Sequence, residues 1–179
     1  MKRIRTMMIT RMICLAGVFV LLFTGCSGNS EDSLPVIGEV TRDFSFISQE
    51  NKTVTPETVA GRVYVTDFFF TSCPSICPLM KRQMVRVYDV FKERKEDFML
   101  LSHTIDPEHD TVEVLRNYSE GLDVDPSLWL MVTGDQDEIF SMAKHYMLGA
   151  MKNDDVPGGY IHSGSFVLVD RKKRIRGYY

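Results

Sequence analysis

The sequence predicts an α/β domain, a central mixed sheet flanked by helices with an N-terminal hairpin extension, and three patterns carry that prediction. Buried apolar runs at 63–70 and 98–105 alternate with amphipathic stretches, the order that builds a parallel sheet with helices on its faces. A hairpin pattern at 43–55 precedes them, and an alternating pair, 165–169 and 174–178, ends the chain, so antiparallel strands join the parallel ones. With 179 residues, 44% hydrophobic and 25% charged, the chain suits one such domain with a real core.

Residues 1–25 stand apart from that domain. Lys2, Arg3, Arg5 and Arg11 make a basic n-region, Met12 to Phe23 an apolar h-region, and Phe23-Thr24-Gly25-Cys26 a small-residue cleavage site ending in cysteine. The arrangement resembles a bacterial lipoprotein signal, which implies that Cys26 becomes the lipidated first residue of the mature protein. The apolar segment is short of the ~20 residues a membrane span needs, so a cleaved signal is preferred to a retained anchor helix. Either reading puts the domain outside the cytoplasm, and the lipoprotein reading places it in the bacterial cell envelope, membrane-anchored and facing the periplasm. Ser27 to Ser33 is small and polar; with Cys26 it reads as a flexible tether, 26–33, before a domain at 34–179.

Within the domain, Asp43 to Ile47 alternates like a strand, 48–52 turns, and Thr53-Val54-Thr55 returns. Thr55-Pro56-Glu57 opens a short helix that Gly61 stops. The run 63–70 then empties into Cys73 and Cys77, spaced C-x-x-x-C. Pro78 is suited to the first turn of a helix and disfavours helical geometry in the residue before it, so Cys77 is expected as the N-cap. From there Met80, Met84, Val87, Tyr88 and Phe91 form the apolar stripe of an amphipathic helix. Both sulfurs would lie at its positive end, which favours thiolate. After the strand 98–105, Asp110-x-x-Glu113 reads as a capping box for a helix that Gly121 closes. A strand at 127–132, a second box at Asp135-x-x-Glu138 and a helix to Leu148 follow, and the hairpin 165–178 completes the pattern. Neither a repeat nor a phosphate-binding glycine loop is found.

The signal carries four basic and no acidic residues; the remainder therefore holds 17 Lys and Arg against 24 Asp and Glu, a net charge of −7. So acidic a domain is a poor binder of nucleic acid. Of the four cysteines, Cys14 lies in the signal and Cys26 carries the lipid, which leaves Cys73 and Cys77 as one close pair. Outside the cytoplasm such a pair is a structural disulfide, a redox couple or a soft-metal site. Two thiolates and one imidazole form a three-coordinate set suited to Cu(I), whereas the usual structural zinc site needs a fourth ligand. His103 lies inside a strand and His145 in a helix, positions of packed or surface residues. His109, in a polar loop, is a second candidate, and His162, among Gly158, Gly159, Ser163 and Gly164, is the preferred third ligand.

The run DFFFTSCPSICP, the stretch TIDPEHDT at 104–111 and the segment YIHSGSFVLVD at 160–170 resemble the three signature regions of the Sco/SenC family of copper-binding, thioredoxin-like assembly factors. The resemblance covers 34–179. It implies a thioredoxin-like fold, copper ligation by Cys73, Cys77 and His162, and a metallochaperone more than an enzyme. It also implies delivery of copper, as Cu(I), Cu(II) or both, to the dinuclear centre of cytochrome c oxidase subunit II or to another extracytoplasmic copper protein. The alternative implied is a thiol-disulfide oxidoreductase that reduces that centre's cysteines, with Cys73 and Cys77 as its redox-active pair. Two departures stand out. Ile161 occupies the position before His162 where many relatives carry aspartate, and the resemblance implies a last helix, beyond an Asp-Gly turn, that these 179 residues lack.

Asp67, a carboxylate inside an apolar strand, has two readings. By a further resemblance to thioredoxin it is a buried proton acceptor; otherwise it is a hydrogen-bonded structural group. Asp106 and Glu108 are read as helix-start or surface carboxylates that could face a partner. Met80, Met84, Met131, Met142 and Met147 fall at apolar periodic positions and read as core filling in preference to a copper relay. A peroxidase has no supporting motif, and a purely structural disulfide would close too small a loop to constrain the unfolded chain much.

Overall fold

The computed structural model describes residues 34–179; the signal 1–25, the tether 26–33 and Cys26 lie outside the described residues. β4 (Val63–Phe69) and β5 (Phe98–Thr104) form the middle of an eight-stranded sheet, paired in parallel from Val63 opposite Phe98 to Phe69 opposite Thr104. Every residue of β5 is buried, as a strand covered on both faces requires. β6 (Trp129–Thr133) continues the parallel set beside β5. Antiparallel strands then finish both sides. β9 (Val167–Val169) lies against β4, followed by β10 (Arg174–Tyr178) and β1 (Gly38–Glu39), while β2 (Phe46–Ser48) lies against β6 with β3 (Thr53–Val54) outermost. This is the mixed sheet with an N-terminal hairpin that the sequence predicts.

The two-residue period of β4 sends Val63, Val65, Asp67 and Phe69 to one face and Tyr64, Thr66 and Phe68 to the other. On the first face lie α2 (Cys77–Phe91) and α3 (Val112–Gly121): Phe69 stacks on Tyr118 at 5.8 Å, Phe91 on Phe98 at 4.4 Å, and Tyr88 approaches Trp129 at 6.3 Å. On the second, Phe68 stacks on His103 at 4.8 Å and Tyr64 shares a 3.0 Å hydrogen bond with Tyr146, the C-cap residue that follows α4 (Gln136–His145). Of these, Tyr64, Phe68, Phe69, Trp129 and Tyr146 are fully buried, and each such side chain contributes ~1.5–3 kcal/mol relative to exposure. α1 (Pro56–Val59) is a single turn before β4.

Several boundaries differ from the sequence reading. α2 starts one residue early: Ile76 is the N-cap and Cys77 the first helical residue, with Pro78 still in the first turn, where a missing N–H costs nothing. At α3 the N-cap is Thr111, whose hydroxyl accepts from the Val114 N–H; Asp110 is drawn inward instead of capping with Glu113. The Asp135 cap is as expected, its carboxylate accepting from the Glu138 N–H at 3.0 Å. α4 ends at His145, short of Leu148, because the chain turns out through Met147 at φ +57°. Met80, Met84, Met131 and Met142 are core residues, but that turn leaves Met147 exposed. Ser127 and Leu128 belong to a turn organised by Asp125, so β6 begins at Trp129, and likewise β9 begins at Val167 where 165 was expected. No helix among the described residues is long and apolar enough to cross a membrane.

Candidate metal centre

β4 delivers its last residues to the carboxyl edge of the parallel strands, and the turn 70–76 folds back there to start α2. The backbone N–H of Cys73 donates to the Phe70 carbonyl, which sets the first cysteine under the second. His162 arrives from elsewhere. It ends β8 (Tyr160–His162), which pairs only with β7 (Ala150–Lys152), so the glycine-rich loop expected there is in fact the rim of a small separate hairpin. That hairpin is pinned to the edge by Tyr160, whose hydroxyl donates to Asp106 at 3.0 Å and accepts from Gln136 at 3.2 Å. Asp106 therefore holds the hairpin, which is more than a helix-start or surface role. Gly158 sits beneath it at φ +90°, where an added Cβ would meet Phe70 and Pro74 at 3.0 Å.

Cys73 Sγ, Cys77 Sγ and a His162 ring nitrogen lie within 4.8 Å of one another, and both cysteines are free thiols. Cys77 Sγ is 3.2 Å from His162 Nε2. His162 Nδ1 is 3.0 Å from the Ser163 carbonyl, which can only accept, so Nδ1 carries the hydrogen and Nε2 points a lone pair at the sulfurs. Phe70 meets the imidazole edge-on at 5.9 Å and limits its rotation. The cleft here is small, about 240 Å³, and is lined by Cys73 and His162, with Cys77 buried behind them. It can hold an ion, not a large organic substrate.

The two sulfurs are electrostatically unequal. Burial pushes the Cys73 thiol up, but hydrogen bonds from Cys77, from the Ser75 and Cys77 backbone and from the Ser75 hydroxyl outweigh it and bring Cys73 down to about 6. Burial and the neighbouring Cys73 sulfur push Cys77 up to about 12. One thiolate is thus ready at neutral pH, and the second forms when a cation displaces its proton.

The other predicted residues separate cleanly. His103 is fully buried, hydrogen-bonded to Thr66 at 3.2 Å and pushed down to about 3 by burial, so it is a neutral packing residue. His145 accepts from the Thr41 N–H at 3.1 Å. His109 stays outside the cluster, its Nδ1 2.8 Å from Asp110. Asp67 is fully buried, and neither of its carboxylate oxygens has a hydrogen-bond partner among the described residues.

Two residues escaped the sequence reading. Asp110, fully buried, accepts from the Thr71 N–H at 3.0 Å, the Thr71 hydroxyl and the Thr104 hydroxyl at 2.5 Å, and so ties the turn that carries the cysteines to the end of β5. Its position beside Thr111 disguised it as a cap. Lys81 is 4% exposed, beside Met80 in the apolar stripe of α2, and only its i+4 spacing from Cys77 could have pointed to it.

Comparison with known proteins agrees with this geometry. The SCO1/SenC family model matches residues 36–179. The chain is 31% identical to the SCO1 protein homolog of Bacillus subtilis (strain 168) over 155 residues, which is 86% of this chain and 79% of that one. A SCO1/SenC family lipoprotein from Bacillus anthracis str. Ames superposes with a TM-score of 0.73 at 29% identity, covering 80% of this chain and 86% of the other. Bradyrhizobium japonicum ScoI with copper bound superposes with a TM-score of 0.68 at 25% identity, covering 77% and 87%. With a model match over nearly the whole described domain and a fold shared with these structures, the chain belongs to the SCO1/SenC family.

Proposed function

We propose that this domain carries one copper ion between Cys73, Cys77 and His162 and passes it to an extracytoplasmic oxidase, the dinuclear copper centre of cytochrome c oxidase subunit II being the acceptor implied by the family. The observation that carries the proposal is the convergence of two thiols and one correctly oriented imidazole within 4.8 Å. Two soft sulfurs and one borderline nitrogen match Cu(I), and the set is one ligand short of a closed tetrahedral zinc site. The copper is cargo: an incoming acceptor thiolate can replace one ligand at a time through the open side of the cleft. Anaerobic titration of the reduced full chain with Cu(I) against a competing chelator is expected to show one equivalent bound tightly, and His109→Ala is expected to leave that binding unchanged. A chain that takes up no Cu(I) in competition removes the reading.

A second reading, disulfide exchange with the acceptor's cysteines, is supported by the low Cys73 value: a thiolate at neutral pH is the attacking species, and Cys77 resolves the mixed disulfide. In that chemistry Asp67, buried on the same side of the sheet as α2, is the available proton acceptor for Cys77.

The domain is placed on the outer side of a bacterial membrane by the signal 1–25, the tether 26–33 and a diacylglycerol on Cys26. Mass analysis of the mature N-terminus is expected to show that lipid on Cys26, and Cys26→Ser to give soluble protein or unprocessed precursor. An unmodified Cys26 in membrane-bound protein contradicts the anchor.

A further inference from the structure

A groove of about 730 Å³ lies between α2 and the end of α3. Its apolar lining is Leu79, Val85 and Leu122, and its charged lining is Lys81, Arg82 and Arg86; among the described residues no acidic side chain lines it. That is the reverse of the chain as a whole, which beyond the signal holds 17 Lys and Arg against 24 Asp and Glu. Lys81 is 4% exposed and its Nζ is held over Phe69 at 4.0 Å, Trp129 at 4.7 Å and Tyr118 at 5.5 Å, so the two arginines are the cations a ligand meets. Both are exposed and neither has a carboxylate partner among the described residues; Arg86 donates to Gln83 Oε1 at 3.2 Å. Four residues apart on one helix, they stand on one ridge, and a guanidinium stays charged at any physiological pH.

The groove adjoins the metal centre. Thr71, which Asp110 ties to the end of β5, and Pro78, next to Cys77, both line it. Ile76 lines the metal cleft and Leu79 the groove; the Leu79 N–H donates to the Ile76 carbonyl at 3.0 Å, and the two residues are 41% and 49% exposed. Two apolar side chains left in water thus join one concavity to the other.

We infer that this groove docks an acidic, amphipathic segment of the protein that exchanges copper with the domain, its carboxylates on Arg82 and Arg86 and its apolar side chains on Leu79, Val85 and Leu122. The inference rests on the copper reading for the identity of the partner, but not for the groove. A partner seated there covers Ile76 and reaches the metal cleft, so docking and ion transfer share one surface. The arginines set orientation and encounter rate more than affinity, while the negative charge elsewhere on the domain repels an acidic partner that arrives the wrong way round.

Two probes of the full chain decide this. The first is a fluorescent helical peptide of about 14 residues with Glu at i and i+4 beside a leucine stripe, followed by anisotropy without copper. Wild type is expected to bind it, and Arg82→Glu combined with Arg86→Glu to bind on the order of 10-fold more weakly. Lys144→Glu combined with Lys172→Glu, the same change in net charge outside the groove, is expected to match wild type, and Leu79→Gln, which alters no charge, to lose severalfold. The second probe is the soluble domain of cytochrome c oxidase subunit II. The arginine variant is expected to hold Cu(I) as tightly as wild type but to pass it, with no change of oxidation state, on the order of 10-fold more slowly at low salt, the difference closing as salt rises. A wild type that ignores the peptide, a lysine pair that loses as much as the arginine pair, or unchanged transfer by the arginine variant overturns the inference. So does loss of binding to phosphatidylglycerol vesicles in the arginine variant with peptide binding intact, which assigns the arginines to lipid. If the wild type binds no Cu(I), or holds it without passing it on, the copper reading fails and the peptide alone decides the groove.

Discussion

Cys77→Ser and Cys73→Ser are each expected to cost more Cu(I) affinity than any other single substitution in this chain. Removing a thiolate leaves one sulfur and one nitrogen, and disturbing even the groups that support a metal ligand costs ~10–100-fold, so the loss of a sulfur should exceed ~100-fold. His162→Ala, which keeps both sulfurs, should fall within or just beyond that range. The pH dependence follows from the unequal sulfurs. Near pH 7 Cys73, brought down to about 6, is mostly thiolate, while Cys77, pushed up to about 12, must give up its proton to the solvent. Affinity should therefore rise about tenfold per pH unit near neutrality, and fall more steeply below pH about 6, where Cys73 must also lose a proton. Chelator competition from pH 5 to pH 8 measures the slope; a pH-independent affinity would show that the thiols are not the ligands.

Asp110→Ala is expected to produce the largest loss of stability among the polar residues around the site. The carboxylate is fully buried and accepts from the Thr71 backbone and hydroxyl, from Thr104 and from His109. Truncation removes these charge-assisted bonds and strands their donors, at about 3–5 kcal/mol. Urea denaturation should show a lower midpoint at unchanged slope. Asp110→Asn, which keeps an acceptor oxygen, should lose less, and His109→Ala little, since that ring is exposed. A loss below about 1 kcal/mol for Asp110→Ala would mean that the cysteine turn is held by other contacts.

What the sequence made legible follows from the range of the interactions involved. β4, β5 and the stripe of α2 are written in local periodicity, and the cysteine pair, five residues from end to end, was found from spacing alone. His162 could be ranked first among four histidines by loop composition and by family resemblance, yet its hairpin could not be read. Ala150–Lys152 and Tyr160–His162 are three-residue strands with no alternation, and they exist because Tyr160 reaches Asp106 and Gln136 across the fold. Asp110 and Lys81 were missed for a related reason. Each sits where a local rule offers a sufficient account, a cap in one case and a solvated helix position in the other, while its role is set by partners distant in sequence.

The wide separation of the donors has a consequence for the order of events in the life of the chain. Cys77 and His162 are 85 residues apart, so bringing them together closes a loop whose conformational entropy is worth about 4 kcal/mol. That entropy is lost on folding, before any ion arrives, and the folded domain offers its third donor without further ordering. Until His162 has folded against the cysteine turn, the chain offers only the two close thiols. Full affinity thus belongs to the completed fold, and the ion, by binding it selectively, stabilises that fold in return.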